Sequence, residues 1–162
     1  MTVKEYILGV DVGTTATKVA LFDLKGTTIA STTKEYDLTT PTTLEVEVDI
    51  ETLWKAFKQG VKDVLSISRV EPDNVKALGI SAQGETLVPI DKNGKPLRRA
   101  IVWLDSRAQE EAKILDKEFN GGKSYETTYN PPGSLNLNGR KNLVFWLESN
   151  NAVDDFTSAR VY

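Results

Sequence analysis

Hydrophobic positions near the N-terminus form three short stretches that are separated by turns. The first, Tyr6–Val12, is almost continuously apolar, and the second, which ends at Leu24, alternates loosely between apolar and polar residues. Lys25-Gly26 is a turn signal, and the third stretch, Thr27–Tyr36, has a β-branched and partly alternating character. Three consecutive strands joined by short turns predict an antiparallel meander.

A helical pattern follows the meander. Asp49 is a suitable N-cap, and Glu51 favours the first helical turn. The apolar residues that recur at helical spacing are Ile50, Leu53, Trp54, Phe57, Val61, Val64 and Leu65. The pattern predicts a helix over Ile50–Ser66, with Trp54 and Phe57 in the core and not in contact with a ligand.

Further apolar stretches predict strands after this helix. They lie at Val75–Ala82, Thr86–Asp91 and Ala100–Leu104, and the first is expected to be a buried strand. Because a strand that returns after a helix runs parallel to its predecessor, the sheet is predicted to be mixed. The fold class is therefore α/β, with an N-terminal antiparallel three-strand meander and flanking helices.

The last third of the chain predicts two more helices. Ser106 is a candidate cap for the first, which ends at the glycines of Asn120-Gly121-Gly122. Its apolar positions are Ala108, Ala112, Leu115 and Phe119. A loop is expected over Tyr125–Asn138 and a final helix over Arg140–Ser149. The 162 residues are enough for one domain with a core of its own.

Composition and charge exclude several classes of function. The chain has no Cys and no His, so thiol chemistry, Ser-His-Asp catalysis and His-based metal sites are excluded within it. The net charge is −3, with no basic block, which argues against nucleic acid as a partner. No apolar run approaches the roughly 20 residues of a membrane span, and the N-terminus does not resemble a signal peptide. We expect a cytoplasmic protein.

The turn between the first two strands is a candidate phosphate site. Asp11 stands at the end of the first strand, and Gly13 allows either a positive φ or the close approach of a ligand. The side chains that offer hydroxyl or ammonium groups are Thr14, Thr15, Thr17 and Lys18. Such a turn suits an anion, with Asp11 placed to hold a cation beside it. The alternative is an ordinary hairpin with a polar turn.

Two further stretches are candidate sugar sites. Gln83 and Glu85 are expected to be exposed on a turn, where an amide and a carboxylate can together bind several hydroxyls. Trp103 offers a flat apolar face and Asp105 a carboxylate, a combination that suits a sugar ring. Arg107 is expected to pair with Asp105 or with an anion. The alternatives are a solvated hairpin turn for the first stretch and a core Trp followed by a helix cap for the second.

Together, the three stretches resemble the FGGY family of carbohydrate kinases. The resemblance rests on GVDVGTTATKVALFD, GISAQGE and DKNGKPLRRAIVWLDSRA, in this order. It implies a ribonuclease-H-like (actin-like ATPase) fold and transfer of the γ-phosphoryl of ATP to a sugar or polyol hydroxyl, with Mg²⁺. Asp11 is then expected near the metal. The residues expected at the ATP phosphates are Gly13, Thr14, Thr15 and Lys18, and those expected at the sugar are Gln83, Gly84, Glu85, Trp103 and Asp105.

The resemblance also has limits that shape the expected function. Glycerol kinases have Arg-Glu where this chain has Gly84-Glu85, and xylulokinases have Met-His there. The substrate turn is therefore a hybrid that matches neither group fully. We favour a xylulokinase-like substrate. Residues 1–162 correspond to an N-terminal domain, whose catalytic Asp and second, ATP-holding domain are expected beyond Tyr162. The chain alone is therefore expected to be inactive. The resemblance is compatible with a homodimer of the full-length protein.

Two other hypotheses remain open from the sequence. One is a non-catalytic sugar- or phosphate-binding module of the actin-like fold, for which a natural stop after Tyr162 would speak. The other is a different actin-like ATPase, such as a chaperone or a filament protein. That class shares the hairpin at Gly13 but has no reason to retain GISAQGE or WLDSRA.

Overall fold

The computed structural model describes residues 4–111 and 113. These residues belong to two compact units, the first formed by 4–39 with 48–84 and the second by 40–47 with 85–111 and 113. Most of the helix predicted from Ser106 lies outside the described residues, as do the loop at Tyr125–Asn138 and the helix at Arg140–Ser149. No helix in the described part of the chain is both long and apolar enough to cross a membrane.

In the described part of the chain, six strands and one long helix have defined bounds. In chain order they are β1 (Tyr6–Val12), β2 (Ala16–Asp23), β3 (Thr28–Glu35), β4 (Glu47–Val48), α1 (Ile50–Ser68), β5 (Val75–Ala82) and β6 (Ala100–Ile101). The first unit contains a four-stranded sheet in the order β3-β2-β1-β5. Its first three strands are antiparallel and β5 is parallel to β1, which confirms the predicted mixed sheet and meander.

Helix α1 begins where the sequence predicts. The Asp49 carboxylate accepts a hydrogen bond from the Glu51 N–H at 2.9 Å and so caps the first turn. The helix ends two residues later than predicted, at Ser68, because Arg69 adopts a left-handed conformation with φ 54°. It packs against β2 and β3, and the close approach is made at Gly60.

The core of the first unit lies between α1 and the sheet. Its buried residues are Leu8, Val10, Val19, Leu21, Ala30 and Val64, and Phe57 packs against them. The prediction that Trp54 belongs to this core is wrong, because its side chain is 50% exposed. The buried residues of α1 are Leu53, Gly60 and Val64, and Trp54 lies about 100° around the helix from Leu53. Trp54 instead stacks on Phe57, with ring centroids 5.3 Å apart.

Strand β5 has the predicted bounds but not the predicted burial. Leu78 is 49% and Ile80 is 60% exposed. Both are aligned with buried residues of β1, Leu8 and Val10 respectively. The reason is position, since β5 is the last strand of the described sheet and α1 covers β2 and β3 instead.

The second unit is less regular than predicted. β6 is paired with β4 and ends at Ile101, because residues 102–105 form a turn closed by an Asp105 N–H bond to the Val102 carbonyl. Thr86–Asp91 is not a strand. Only isolated bridges form there, from Leu87 to Ile101 and from Ile90 to Pro96, since Pro89 lacks the N–H that a continuous ladder needs. Residues 109–111 are helical.

Candidate functional site

The turn at Gly13 is tight. The Gly13 N–H donates to the Ala16 carbonyl at 2.9 Å, and a Cβ placed on Gly13 would lie 2.9 Å from that same oxygen. Gly13 does not have a positive φ. The glycine is therefore required for close approach, one of the two reasons considered from the sequence, although the approach is to the chain's own backbone.

Asp11 and Lys18 lie opposite each other on β1 and β2. Residues that face each other across an antiparallel pair project from the same side of the sheet. Both residues are exposed, and Asp11 makes no ion pair with any described residue. The arrangement places one carboxylate and one ammonium beside the turn, with the hydroxyls of Thr14 and Thr15 between them in the chain.

The residues present at this turn fit a hydrated Mg²⁺ ion. No group of three or more Asp, Glu, His or Cys side chains in the described ranges is close enough together to hold a metal alone. Mg²⁺ retains several waters and is usually bound by one or two carboxylates together with substrate phosphates. Asp11 is the carboxylate that lies beside the Gly13 turn, and its role at a metal stays a prediction.

Tyr36 follows β3 and contacts this turn, and the sequence analysis did not identify that contact. Its hydroxyl donates to the Gly13 carbonyl at 2.6 Å. A tyrosine at the end of an exposed strand gives no sequence signal for such a contact, which depends on how β3 lies against β2. Burial raises the pKa of Tyr36; the hydrogen bond with Thr17 opposes this, and the charge of Asp11 adds to it.

Gln83 follows β5 and is fixed at the edge of the same sheet. Its N–H donates to the Val12 carbonyl at 2.9 Å, which holds the end of β5 beside the end of β1. Both polar atoms of its side-chain amide are buried and have no hydrogen-bond partner among the described residues. The prediction that Gln83 is exposed is therefore wrong for its amide. An unsatisfied buried amide is costly, so this group is suited to a ligand hydroxyl. The next residue, Gly84, is exposed.

In the second unit, Glu85 and Trp103 are both exposed. Glu85 has a positive φ of 62°, a conformation that is uncommon outside glycine and asparagine. Trp103 is 43% exposed and lies in the turn after β6, so the alternative of a core tryptophan is wrong.

Asp105 is almost completely buried, at 1% exposure. Its carboxylate accepts hydrogen bonds from the Val46 N–H at 2.7 Å and from the Arg107 N–H at 3.1 Å. The guanidinium of Arg107 adds a bidentate contact, with Nε 2.9 Å from Oδ1 and Nη2 2.7 Å from Oδ2. Burial opposes ionisation, but these donors outweigh it and hold the pKa of Asp105 below its usual value. A sugar contact for Asp105 stays a prediction.

Arg107 connects Asp105 to two glutamates. Its Nη2 lies 2.8 Å from Glu47 Oε1, and its Nη1 lies 3.4 Å from Glu45 Oε1. Glu47 also accepts from Arg98. Burial would raise the pKa of Glu47, but the two arginines lower it overall, and the carboxylates raise the pKa of Arg107.

The predicted site residues divide between the two units. The first unit contains Asp11, Gly13, Thr14, Thr15, Lys18, Gln83 and Gly84. The second contains Glu85, Trp103 and Asp105. Within the first unit, the Gly13 turn and Gln83 lie at the same ends of the neighbouring strands β1 and β5.

Proteins named as sugar or polyol kinases match most of this chain. The glycerol kinase of Beutenbergia cavernae is 33% identical over 147 residues, which are 90% of this chain and 28% of that protein. The probable L-xylulose kinase of Haemophilus influenzae is 32% identical over 145 residues, 90% of this chain and 29% of that protein. The chain therefore spans less than a third of the length of these relatives.

Solved structures agree with the sequence relatives. The gluconate kinase of Lactobacillus acidophilus matches with a TM-score of 0.70 and 27% identity, over 76% of this chain and 24% of that one. The xylulose kinase of the same organism has a TM-score of 0.69 and 27% identity, over 75% of this chain and 24% of that one. The family model for the N-terminal domain of FGGY carbohydrate kinases matches residues 6–154. The predicted actin-like fold is thus confirmed, and the chain belongs to the FGGY family of carbohydrate kinases.

Proposed function

We propose that this chain is the N-terminal, substrate-binding part of a kinase that transfers the γ-phosphoryl of ATP to a hydroxyl of a sugar or polyol. The observation that carries the proposal is the Gly13 turn, with the Asp11 carboxylate and the Lys18 ammonium facing each other across β1 and β2. A turn of this kind offers both a positive charge for phosphate and a negative charge for a cation.

The phosphate end of the proposed site is formed by Gly13, Thr14, Thr15 and Lys18. Lys18 attracts phosphate oxygens, and the hydroxyls of Thr14 and Thr15 are suited to hydrogen bonds with them. Asp11 would hold Mg²⁺, which neutralises developing charge on the transferred phosphoryl when it is bound. Tight backbone approach at Gly13 keeps these groups close together.

The sugar end of the proposed site combines Gln83, Gly84, Glu85, Trp103 and Asp105. The buried amide of Gln83, which has no partner in the described part of the chain, is suited to donate to one hydroxyl and accept from another. The half-exposed Trp103 offers a ring face to the apolar side of a sugar. Asp105 contributes by holding the turn that carries Trp103, because its carboxylate is tied to Val46 and Arg107.

We expect the substrate to be xylulokinase-like, a ketopentose. The support is indirect, since relatives named glycerol kinase and L-xylulose kinase match about equally well. A panel of pentoses, hexonates and polyols, assayed by coupled ADP release on the longer protein that carries this chain, tests the expectation. The highest kcat/KM for a ketopentose would support it, and the highest value for glycerol would overturn the substrate class while leaving the kinase assignment intact.

Two substitutions in that longer protein test the roles of the two ends. Asp11→Asn removes charge beside the metal, so turnover is expected to fall on the order of 100-fold while sugar affinity stays nearly unchanged.

Glu85→Ala removes a hydroxyl acceptor, so the KM for sugar is expected to rise roughly tenfold or more. Asp37→Asn, at an exposed position outside the predicted sites, is the matched control. Equal effects of Asp11→Asn and Glu85→Ala on sugar affinity would count against the assignment.

A further inference from the structure

Tyr36, the residue directly after β3, is bonded twice to the turn at Gly13. Its backbone N–H donates to the Thr15 carbonyl at 3.0 Å, and its hydroxyl donates to the Gly13 carbonyl at 2.6 Å. Two carbonyls of the turn, those of Gly13 and Thr15, are therefore both bonded to one residue that follows the neighbouring strand.

The hydroxyl of Tyr36 also lies 3.4 Å from the Thr17 hydroxyl. A phenol has a single proton, and a carbonyl is only an acceptor, so the proton of Tyr36 is directed at Gly13. Thr17 is then the donor in the second contact, and its side chain is completely buried. A short chain of hydrogen bonds therefore links Thr17 on β2 to the Gly13 carbonyl through Tyr36.

This arrangement matters for an anion because backbone carbonyls repel phosphate oxygens. A free hairpin turn can rotate its peptide groups and present a carbonyl oxygen where an N–H or a hydroxyl is needed. In this structure the carbonyls of Gly13 and Thr15 are each held by a donor from Tyr36. The Gly13–Thr14 and Thr15–Ala16 peptide groups are thus held in orientation before any ligand arrives, and such preorganisation strengthens binding.

We propose that Tyr36 is a positioning residue for phosphate binding: by holding the Gly13 and Thr15 carbonyls, it keeps the turn in the form that receives phosphate oxygens. The proposal rests on the function proposed above for this turn. Tyr36 is not expected to touch the phosphate. Its phenol is protonated at neutral pH, since the usual pKa of tyrosine is about 10, and burial raises the pKa of Tyr36 further.

The experiment is an NMR titration of the ¹⁵N-labelled 162-residue chain with Mg²⁺ and inorganic tripolyphosphate. In the unsubstituted chain, amide shifts at Gly13–Lys18 are expected to move on titration. Tyr36→Phe keeps the ring and removes the hydroxyl, and it is expected to weaken binding about five- to tenfold, the effect of one lost hydrogen bond. Amide hydrogen exchange is expected to accelerate at Gly13–Ala16 but not along the rest of β1 and β2.

Two more variants keep the test decisive. Tyr6→Phe removes the hydroxyl of another half-buried tyrosine and is expected to change the affinity less than twofold. Thr17→Val removes the donor to Tyr36 and is expected to give a smaller loss in the same direction, which also tests the proposal if Tyr36→Phe does not fold.

The outcomes separate this inference from the function on which it rests. If the unsubstituted chain shows no shift at Gly13–Lys18, the phosphate site itself is wrong. If it binds tripolyphosphate and Tyr36→Phe binds equally well, the positioning role alone is wrong. Uniformly faster exchange over the whole sheet in Tyr36→Phe would also overturn it, because that result indicates a general loss of stability.

Discussion

At the scale of single residues, the second unit concentrates its buried charge around Arg107. Its guanidinium contacts Asp105 and Glu47 at 2.7 and 2.8 Å, and Asp105 lies almost wholly out of solvent. A buried carboxylate is stable only when its hydrogen bonds are satisfied, and Asp105 has donors on both oxygens. The pair therefore fixes the turn at Trp103, and breaking it is expected to affect stability strongly.

The lowered pKa of Asp105 predicts an acid-sensitive contribution to stability. Because its folded pKa is below the unfolded value of about 3.9, the contribution is fully present above that value and is lost as the pH falls through the folded pKa. Asp105→Asn is expected to lower the free energy of unfolding by about 3 kcal/mol at pH 7. The difference in this free energy between the variant and the unsubstituted chain should narrow below about pH 4. Urea unfolding from pH 7 to pH 3, followed through a second-unit probe such as Trp103 fluorescence, measures both.

Asp23→Asn is the control for this prediction. The pKa of Asp23 is also lowered, mainly by the backbone N–H of Thr27, but the carboxylate of this half-buried residue is bonded at an exposed turn. Asp23→Asn is expected to change the free energy of unfolding much less than Asp105→Asn does, at any pH. If the loss in free energy of unfolding caused by Asp105→Asn stayed constant between pH 7 and pH 3, the ionised carboxylate would not be the source of the stability.

The sequence predicted which residue types would matter but not all of their surroundings. Asp11 and Lys18 could be placed because a short turn fixes which residues face each other in a hairpin. The contacts of Asp105 with Val46 and of Tyr36 with Gly13 join residues 59 and 23 positions apart. No local pattern encodes contacts across such sequence separations. The burial of Asp105 and the contacts of Tyr36 could therefore be seen only in the structure.

At the scale of elements, the prediction was most accurate where hydrophobic period and caps agreed. Helix α1 has both a regular apolar stripe and an Asp49 cap, and its start was predicted to the residue. Thr86–Asp91 has strand-like composition, but Pro89 prevents a ladder. The exposure of β5 was not predictable, because burial of a strand depends on which neighbours cover it and not on its own residues.

Gly60 is the position where α1 meets β2 most closely. A Cβ on Gly60 would lie 2.7 Å from Val19 Cγ2, and both residues are buried. Alanine favours a helix over glycine by about 1 kcal/mol, but overpacking a core costs about 1–3 kcal/mol. Gly60→Ala is therefore expected to destabilise the first unit by about 1 kcal/mol net, measured by urea unfolding.

Ser66→Ala is the matched helix control for Gly60→Ala. Ser66 is exposed on the same helix, so its substitution changes helix propensity without changing the packing. It is expected to leave the stability unchanged or to raise it slightly. If Gly60→Ala stabilised the protein as much as Ser66→Ala, the close packing of α1 on β2 would not limit the side chain at position 60.

At the scale of the whole molecule, this chain matches less than a third of the length of its relatives. Phosphoryl transfer depends on positioning and on charge neutralisation in a closed cleft. In the function proposed above, the described residues bind phosphate and sugar hydroxyls, while more than two thirds of the relatives' length has no counterpart in this chain.

The 162-residue chain is therefore expected to turn over no sugar by itself. A coupled ADP-release assay with the pentose and polyol panel, at concentrations that saturate the longer protein, is the measurement. Background rates are expected in every well, with the longer protein as the positive control. Turnover clearly above background would mean that a complete reaction centre lies within these residues.

The apolar row on β5 has a practical consequence for any work with this chain in isolation. Leu78 and Ile80 stand on the last strand of the described sheet, and an exposed apolar edge strand is a template on which a second molecule can add its own strand. Refolding yields are therefore expected to fall as the protein concentration rises, and the NMR titration proposed above calls for dilute samples.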